Sequence, residues 1–339
     1  MSTKLILITG ATGKQGRALI SALRPTADDT QANSFHILAL TRTADSPAAT
    51  ELSQEKHVDV VEGNLDDGQS VRKVFDDAKK RKEGGVWGVF CVLAFPGLGV
   101  NADGEEKQGK MLADLALEFG VSSFVFSSAE RGGESYDDRL TLDRLAKVRI
   151  ERHIRALGSK GLRWTILRPG WFMENFEGTI GSITVGVLKA GLKPTTTVQL
   201  IAVDDIGHVA AGVFRAPESY ASKVLVVVGD MCTTKQMEEA YRTATGRSMP
   251  SIPKFLGRLI ISINGHTQHL IQDLERVHLA RIDPENEEIA MQTAAAKEAY
   301  PGLTSFGTWA AQRKLKGKEA KREKNWNQVS MGRLLTGKL

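Results

Sequence analysis

Apolar residues along this chain fall into two alternating patterns. Short, nearly uninterrupted apolar runs rich in β-branched and aromatic residues are typical of strands buried on both faces of a sheet. Between them lie longer segments in which apolar residues recur every three or four positions, as in an amphipathic helix. The runs occupy residues 4–9, 35–41, 58–62, 86–93, 123–127, 163–167, 199–203 and 223–228. This alternation predicts an α/β fold with a doubly wound parallel sheet of the Rossmann type.

The regular alternation ends near residue 172, and helical segments dominate the rest of the chain. The predicted elements are a helix over 208–215 capped by Asp204, a helix ending at 245 capped by Thr233 or Thr234, helices over 254–263 and 267–279, and a last helix from Thr304. We therefore divide the chain into a Rossmann domain over residues 1–170, a smaller, mostly helical lobe over residues 171–312 that is interleaved with the sheet, and a tail over residues 313–339.

The first strand ends in three glycines spaced G-x-x-G-x-x-G, and a helical segment comes next. Strand, glycine turn and helix in this order are typical of a dinucleotide site. Gly10 would permit the tight turn, Gly13 the approach of a pyrophosphate, and Gly16 the close packing of the helix. The N–H groups of the helix's first turn would hold the phosphates. The residues predicted to contact the dinucleotide here are Gly10, Thr12, Gly13, Lys14, Gln15 and Gly16.

The end of the second strand distinguishes the two nicotinamide dinucleotides. NAD-binding proteins usually carry an acidic residue there, which binds the ribose 2′-hydroxyl. This chain carries Arg42 instead. Because a guanidinium pairs with a 2′-phosphate whereas a carboxylate repels it, Arg42 predicts NADP(H) as the cofactor. Lys14 and Thr43 are further candidate donors to the same phosphate.

Other loops should meet the cofactor at the same edge, because ligands of doubly wound sheets lie outside the carboxyl ends of the strands. The predicted contacts are Asn64 and Leu65 beside the adenine, Ala94 and Phe95 after the fourth strand, and Pro169 and Phe172 after the sixth. The aromatic residues Phe95, Trp171, Phe172 and Phe176 either line an apolar substrate pocket or belong to the core, and both interpretations stay open.

Charge is concentrated at the end of the chain. The 339 residues have a net charge of +5, but residues 313–339 hold nine Lys or Arg against two Glu, so the rest sum to −2. This basic tail is either a solvated segment, which we favour, or a contact for nucleic acid. The sequence has no apolar run of the ~18 residues that a membrane span needs and no signal peptide. Its two cysteines lie in no zinc or redox pattern. We expect a cytoplasmic protein without membrane or metal partners and leave a nuclear location open.

The chain resembles an atypical short-chain dehydrogenase/reductase of the NmrA-like family, related to the isoflavone-reductase-like enzymes, over residues 3 to 310. The segments that carry the resemblance are 10–16, Thr41-Arg42, 108–114, Ser127-Ser128, Lys147 and 168–176. The resemblance implies a Rossmann domain that binds NADP(H) and a small C-terminal domain. It also implies one of two functions, since some members are reductases and others are redox sensors that bind the dinucleotide and regulate a partner such as a transcription factor.

A standard short-chain dehydrogenase donates a proton from the Tyr of a Tyr-x-x-x-Lys pair. Here Lys147 is preceded at that spacing by Asp143, and a carboxylic acid of ordinary pKa is ionised at neutral pH. The nearest tyrosine, Tyr136, would have to reach the site by an unusual path. The isoflavone-reductase-like enzymes also lack the Tyr, so the resemblance implies that Lys147 is the base or the ribose anchor. The alternative is a surface lysine on a basic helix.

Ser128, at the end of the fifth strand, is the second candidate catalytic residue. It either binds a substrate carbonyl or the nicotinamide amide, or it is a structural serine at a strand end. His153 and His208 are interpreted as structural, and the loop over residues 130–139, rich in glycine and acidic residues, is a candidate mobile lid.

These observations leave two functions open. The first is an NADPH-dependent oxidoreductase for a small organic carbonyl or enone, which the aromatic residues favour. The second is a non-catalytic NADP(H) redox sensor that regulates a protein partner, which Asp143 favours. We prefer the first. A homodimer stays open under both.

Overall fold

The computed structural model describes residues 3–25, 34–95, 97 and 101–316, so Pro96 and residues 317–339 of the predicted tail lie outside it. The strands are β1 (Lys4–Ile8), β2 (Phe35–Thr41), β3 (Val58–Glu62), β4 (Val86–Cys91), β5 (Ser123–Ser127), β6 (Trp164–Pro169), β7 (Trp171–Phe172), β8 (Val198–Ile201), β9 (Lys223–Val227) and β10 (Asp230–Cys232). The helices are α1 (Lys14–Ala22), α2 (Pro47–Leu52), α3 (Gly68–Lys79), α4 (Asp103–Glu118), α5 (Leu142–Gly158), α6 (Gly178–Gly191), α7 (Val203–Arg215), α8 (Pro217–Tyr220), α9 (Thr234–Thr245), α10 (Lys254–Ile263), α11 (Gly265–Ile282), α12 (Glu287–Ala299) and α13 (Phe306–Lys316).

Seven strands form one parallel sheet in the order β3-β2-β1-β4-β5-β6-β9. The strand order reverses between β1 and β4, which is where a doubly wound sheet opens a crevice at its carboxyl edge. The predicted Rossmann-type fold is therefore confirmed. The glycine turn after β1 lies beside the loop after β4 at this switch point.

A second sheet of three strands, β10-β8-β7, begins directly after the first one. Gly170 alone separates β6 from β7, and its N–H donates to the carbonyl of Val227 in the main sheet over 3.0 Å. A Cβ on Gly170 would lie 2.6 Å from the carbonyl oxygen of Gln199 in β8. The chain therefore passes from one sheet to the other in a single residue that has no room for a side chain.

Residues of β1 alternate between two buried layers, one on each face of the main sheet. Ile6 and Ile8 pack with α1 and α7, whereas Leu5 and Leu7 pack with α3, α4 and α5. A third cluster, with Phe306 among its members, lies between the small sheet and the C-terminal helices. Within the described residues, no helix is both long and apolar enough to span a bilayer.

Several details of the C-terminal half differ from expectation, and α12 (Glu287–Ala299) was not predicted. Helix α7 begins at Val203 with Ala202 at its N-cap, so the predicted cap Asp204 was wrong; its carboxylate lies in the first turn, where the helix dipole favours it. Helix α6 was not predicted, because its sequence GTIGSITVGVLKAG combines four glycines with β-branched residues. The predicted cap Thr233 is confirmed, and it forms a capping box with Gln236.

Candidate functional site

The turn from β1 into α1 disfavours side chains at two of its three glycines, at Gly10 because of its positive φ and at Gly16 because it has no room. Gly10 has a φ of +56°, and a Cβ there would lie 3.1 Å from Cγ1 and 3.2 Å from the carbonyl oxygen of Val92. The Gly13 N–H donates to the Gly10 carbonyl over 2.9 Å. A Cβ on Gly16 would approach the Gly10 carbonyl oxygen to 2.4 Å. The turn therefore holds β1, the loop after β4 and α1 in backbone contact.

Helix α1 begins at Lys14, and its N-cap, Gly13, offers no capping side chain. The first-turn N–H groups of a helix have no intrahelical partner, so they are available to an anion at this edge of the sheet. Gln15 is fixed there, because the Ser127 hydroxyl at the end of β5 donates to its Oε1 over 2.6 Å. The Thr12 carbonyl accepts from Arg17 Nε over 3.2 Å. The predicted phosphate residues thus lie together.

The two candidate cations for a 2′-phosphate have different environments. Arg42 comes directly after β2, is exposed, and forms no hydrogen bond or ion pair within the part of the chain that the structure describes. Lys14 Nζ lies 3.7 Å from an oxygen of Glu177, the residue that precedes α6. Lys14 therefore faces the C-terminal lobe as well as the glycine turn.

The loop after β3 has a fixed backbone. Asn64 Oδ1 accepts from the Asp66 N–H over 3.1 Å, and the Asn64 N–H donates to Ser70 Oγ over 2.8 Å. Leu65 is partly buried against the core layer of α3 to α5. Both residues lie at the carboxyl end of β3, and their contact with an adenine stays a prediction.

The predicted contacts after β4 and β6 also lie at the carboxyl edge. Ala94 is exposed and Phe95 half-buried in the loop after β4. Pro169 is buried, and its carbonyl accepts from the Glu130 N–H over 2.9 Å. Phe172 is half-buried against the core layer of α1 and α7. Their contact with the cofactor likewise stays a prediction.

Two of the four aromatic residues pack in the C-terminal lobe. Phe176 is buried and meets the Phe306 ring edge-on at 5.6 Å, so the core interpretation holds for it. Trp171 packs against the same cluster, and its buried indole N–H has no hydrogen-bond partner among the described residues. The four aromatic residues therefore do not line one apolar pocket together, because Phe176 belongs to the core.

Lys147 lies in the second turn of α5 and forms an ion pair with Glu105, in the first turn of α4. The Lys147 side chain is 16% exposed and that of Glu105 only 2%. Burial raises the pKa of Glu105, Lys147 opposes this, and Asp143 adds to it. Burial also raises the pKa of the Cys91 thiol, with a smaller contribution from Glu105. The pair is therefore close to the end of β4.

Sequence reasoning found Lys147 and missed Glu105. No motif marks an acidic residue in a helix that is 42 positions away from its partner. The signal in the sequence is the run Asp103, Glu105 and Glu106, which places three acidic residues in the first turn of α4.

Ser128 belongs to a buried group of ionic side chains that we call the Glu151 cluster. It consists of Ser128, Arg131, Asp137, Glu151 and Arg168. The Ser128 hydroxyl donates to Glu151, and Arg131 donates to the two oxygens of Glu151 over 2.7 and 2.9 Å. Arg168 adds a bond of 2.6 Å. Burial would raise the pKa of Glu151, but the two guanidinium groups lower it to about 2.

The Glu151 cluster changes the interpretation of two predictions. The Ser128 hydroxyl is engaged within it, which supports the structural role for this serine; a contact with substrate remains untested. The loop over residues 130–139 is not built as a free lid, because Arg131 and Asp137 are buried and paired with each other over 2.6 Å. Arg276 of α11 also donates to the Arg131 carbonyl over 2.7 Å.

Tyr136 and the two histidines have structural partners. The Arg276 guanidinium lies 4.3 Å from the centre of the Tyr136 ring. His153 Nε2 is 2.7 Å from an oxygen of Asp114, and His208 stacks on Tyr300 with 4.6 Å between ring centres. These contacts support structural roles for both histidines.

Comparison with known proteins places the fold and the glycine turn in context. A model of the NmrA-like family matches residues 2–306. The chain belongs to this family. The NmrA-like family domain-containing oxidoreductase lnaB of Aspergillus flavus is 28% identical over 298 residues, which are 81% of this chain and 82% of lnaB.

Solved structures of the NmrA-like fold agree with the architecture. NmrA, a negative transcriptional regulator, has a TM-score of 0.66 at 17% identity, with 94% of this chain and 98% of NmrA covered. NmrA has been crystallised with NAD and with NADP. The triphenylmethane reductase of Citrobacter sp., complexed with NADP(H), has a TM-score of 0.62 at 16% identity, covering 93% and 100% of the two chains. At such identities these structures establish the fold.

Proposed function

We propose that this NmrA-like protein is an NADP(H)-dependent oxidoreductase that acts on a small organic carbonyl or enone. The observation that carries the proposal is the glycine turn, where a side chain at Gly10 would be strained by the positive φ, where one at Gly16 would collide with backbone, and where α1 presents an uncapped N-terminus. This cradle fits a pyrophosphate. The relative lnaB bears the name of an oxidoreductase, and the Citrobacter reductase of the same fold holds NADP(H).

Arg42 supports the phosphorylated cofactor over NAD(H). Its exposed guanidinium lies just after β2, the strand beside β1, and forms no ion pair with any described residue. A guanidinium without a protein partner can pair bidentately with a 2′-phosphate at little desolvation cost. Since NmrA has been crystallised with both dinucleotides, this preference needs a direct measurement.

Reduction of a carbonyl needs a hydride on carbon and a proton on oxygen. NADPH, when bound, supplies the hydride. Lys147 is the described side chain best suited to supply the proton, because its ammonium group is largely buried close to the end of β4. It would also orient the ribose by donating hydrogen bonds to the hydroxyls. The product alcohol then carries the transferred hydride on carbon and the lysine proton on oxygen.

Two titrations and one screen test the proposal. NADPH and NADP⁺ are titrated separately into the full chain, and NADPH consumption is then measured over a panel of aldehydes, ketones and enones. We expect saturable binding of NADPH and turnover of at least one carbonyl class. Absence of dinucleotide binding would refute the proposal at its first step.

A second function, a non-catalytic redox sensor, is favoured by one specific observation. Asp143 stands where a standard short-chain dehydrogenase carries its proton-donating tyrosine. The same experiment separates the two functions. A marked preference between NADPH and NADP⁺ without turnover of any carbonyl would favour the sensor.

A further inference from the structure

We propose that Glu105 is the positioning residue of Lys147. Its carboxylate binds the ammonium group between α4 and α5 and supplies its counter-charge. The inference rests on the proposed function, in which Lys147 is the proton donor. Glu105 acts through Lys147 and needs no contact with substrate.

The burial of Glu105 is the first argument. Its carboxylate is 2% exposed, one oxygen binds Lys147, and the other has no hydrogen-bond partner among the described residues. A buried carboxylate with an unpaired oxygen is costly. This cost is difficult to explain if the side chain serves only to join two helices.

The neighbouring residue provides the comparison. Glu106 also joins α4 to α5, through Arg149 at 3.0 Å, and here the arginine side chain is 49% exposed. Glu106 additionally binds Lys110 over 2.6 Å. This pair joins the same two helices through an exposed arginine, and it buries no unpaired oxygen. The Glu105 pair therefore does something that the Glu106 pair does not.

The charges around Lys147 define what Glu105 contributes. From α4, the group that faces Lys147 is Glu105. From β4, the buried Cys91 thiol interacts electrostatically with both members of the pair, and burial raises its pKa and keeps it neutral. Asp143 lies one turn before Lys147 in α5, and its negative charge raises the pKa of Glu105 further. If Glu105 loses its charge, a largely buried ammonium loses the carboxylate bound to it, and burial then favours the neutral amine.

Competitive acetylation of the full chain without cofactor tests this directly. The chain is labelled with acetic anhydride between pH 6 and 11, and the modified Lys147 peptide is quantified against the Lys80 peptide by mass spectrometry. For Glu105→Gln we expect the Lys147 curve to move to lower pH, with about tenfold more labelling at a fixed pH on its rising limb. Coincident curves for the wild type and Glu105→Gln would overturn the proposal.

Two variants control for structural damage. Glu106→Gln removes the neighbouring ion pair between α4 and α5 and should leave the Lys147 labelling curve unchanged. A shift equal to that of Glu105→Gln would overturn the proposal. Glu105→Asp keeps a carboxylate but shortens it, so its curve should lie between the other two. If Glu105→Gln does not fold, an unchanged Glu105→Asp curve would overturn the proposal in its place.

The labelling result is independent of the proposed function. If the wild type turns over no carbonyl compound but Glu105→Gln shifts the labelling curve, the oxidoreductase proposal fails and the assignment of Glu105 to Lys147 stands. If turnover is found, the alkaline limb of its pH profile should also move to lower pH in Glu105→Gln. A profile that keeps its alkaline limb would overturn the role of Glu105 in turnover.

Discussion

The Glu151 cluster and the Lys147–Glu105 pair are both buried, and each includes a residue of α5. Their carboxylates differ in how many hydrogen bonds they accept. Glu151 accepts hydrogen bonds from Ser128, Arg131 and Arg168. Glu105 has one bonded partner and one oxygen without any among the described residues. The two carboxylates accordingly have pKa values displaced in opposite directions, downward for Glu151 and upward for Glu105.

If Lys147 is the proton donor that we propose, this difference separates the structural role of Glu151 from the chemical role of Lys147. A fully bonded carboxylate between two guanidinium groups holds one arrangement and has no capacity for a further ligand. A lysine with a single counter-charge retains donors for a ribose hydroxyl or a substrate oxygen. Burial of charge alone is therefore a poor guide to a catalytic residue, and the number of unused donors is a better one.

The largest effect should come from breaking the Glu151 cluster. Glu151→Gln leaves Arg131 and Arg168 buried without their shared counter-charge, so we expect the free energy of unfolding to fall by about 3–5 kcal/mol. Urea unfolding monitored by circular dichroism measures it. The exposed pair provides the control, since Glu106→Gln should cost less than about 1 kcal/mol. Equal losses in the two variants would remove the distinction between a satisfied buried cluster and an exposed tie.

Lys147→Ala should show the opposite balance between activity and stability. Loss of a positioned proton donor should lower kcat by about 10²–10⁴-fold. The loss of stability should be smaller than for Glu151→Gln, because Glu105 has a raised pKa and can take up a proton. Steady-state NADPH oxidation and urea unfolding are the measurements. Arg149→Ala, on the exposed face of the same helix, should retain its kcat, and a similar drop there would point to damage of α5 instead.

Acid unfolding sharpens the comparison further. The pKa of Glu151 is lowered from 4.5 to about 2, so its stabilising contribution is complete above pH 4.5 and is lost as the pH falls towards 2. Glu105, whose pKa is raised, contributes the other way: its share is present below 4.5 and declines as the pH rises. The free energy of unfolding, measured from pH 6 to 2, should therefore depend less on pH in Glu151→Gln than in the wild type. An equal dependence on pH in the two proteins would contradict the stabilising role of ionised Glu151.

The smallest effect concerns a guanidinium that has no partner among the described residues. Arg42→Ala should reduce the preference for NADPH over NADH by about 10- to 100-fold, since one charge-assisted contact is worth about 1.5–3 kcal/mol. Isothermal titration with each dinucleotide measures this preference. Arg163→Ala removes another exposed guanidinium, at the amino end of β6, and should not change the preference. An unchanged preference in Arg42→Ala would assign the phosphate to a different residue.

The main sheet was predictable from sequence, and the reason is local. Strands such as β1 and β4 are apolar at nearly every position because helices cover both faces of the sheet. The glycine turn was predictable because its three glycines lie between a strand and a helix. The lobe was harder to predict, because α6 depends on packing: a Cβ on Gly257 of α10 would lie 2.5 Å from the Gly186 carbonyl oxygen. This close approach explains Gly257, and a Cβ on Gly186 would itself lie 2.2 Å from Ile252 Cγ1.

The candidate site was only half visible in the sequence. Lys147 was found through a motif, whereas Glu105 and the Glu151 cluster depend on contacts between residues far apart in the chain. Ser128 illustrates the limit, because its place at a strand end fits a catalytic group as well as a buried cluster member. Only the hydrogen bond from its hydroxyl to Glu151 favours the role of a buried cluster member over that of a catalytic group.

Gly170 has a mechanical consequence for the two sheets. A single residue joins β6 to β7, its N–H is bonded to the main sheet, and its Cα lies against the backbone of β8. Because a single residue joins the two sheets, a rotation of the small sheet must also move Pro169. We therefore expect the small sheet and the carboxyl end of β6 to move together when a ligand binds at this edge.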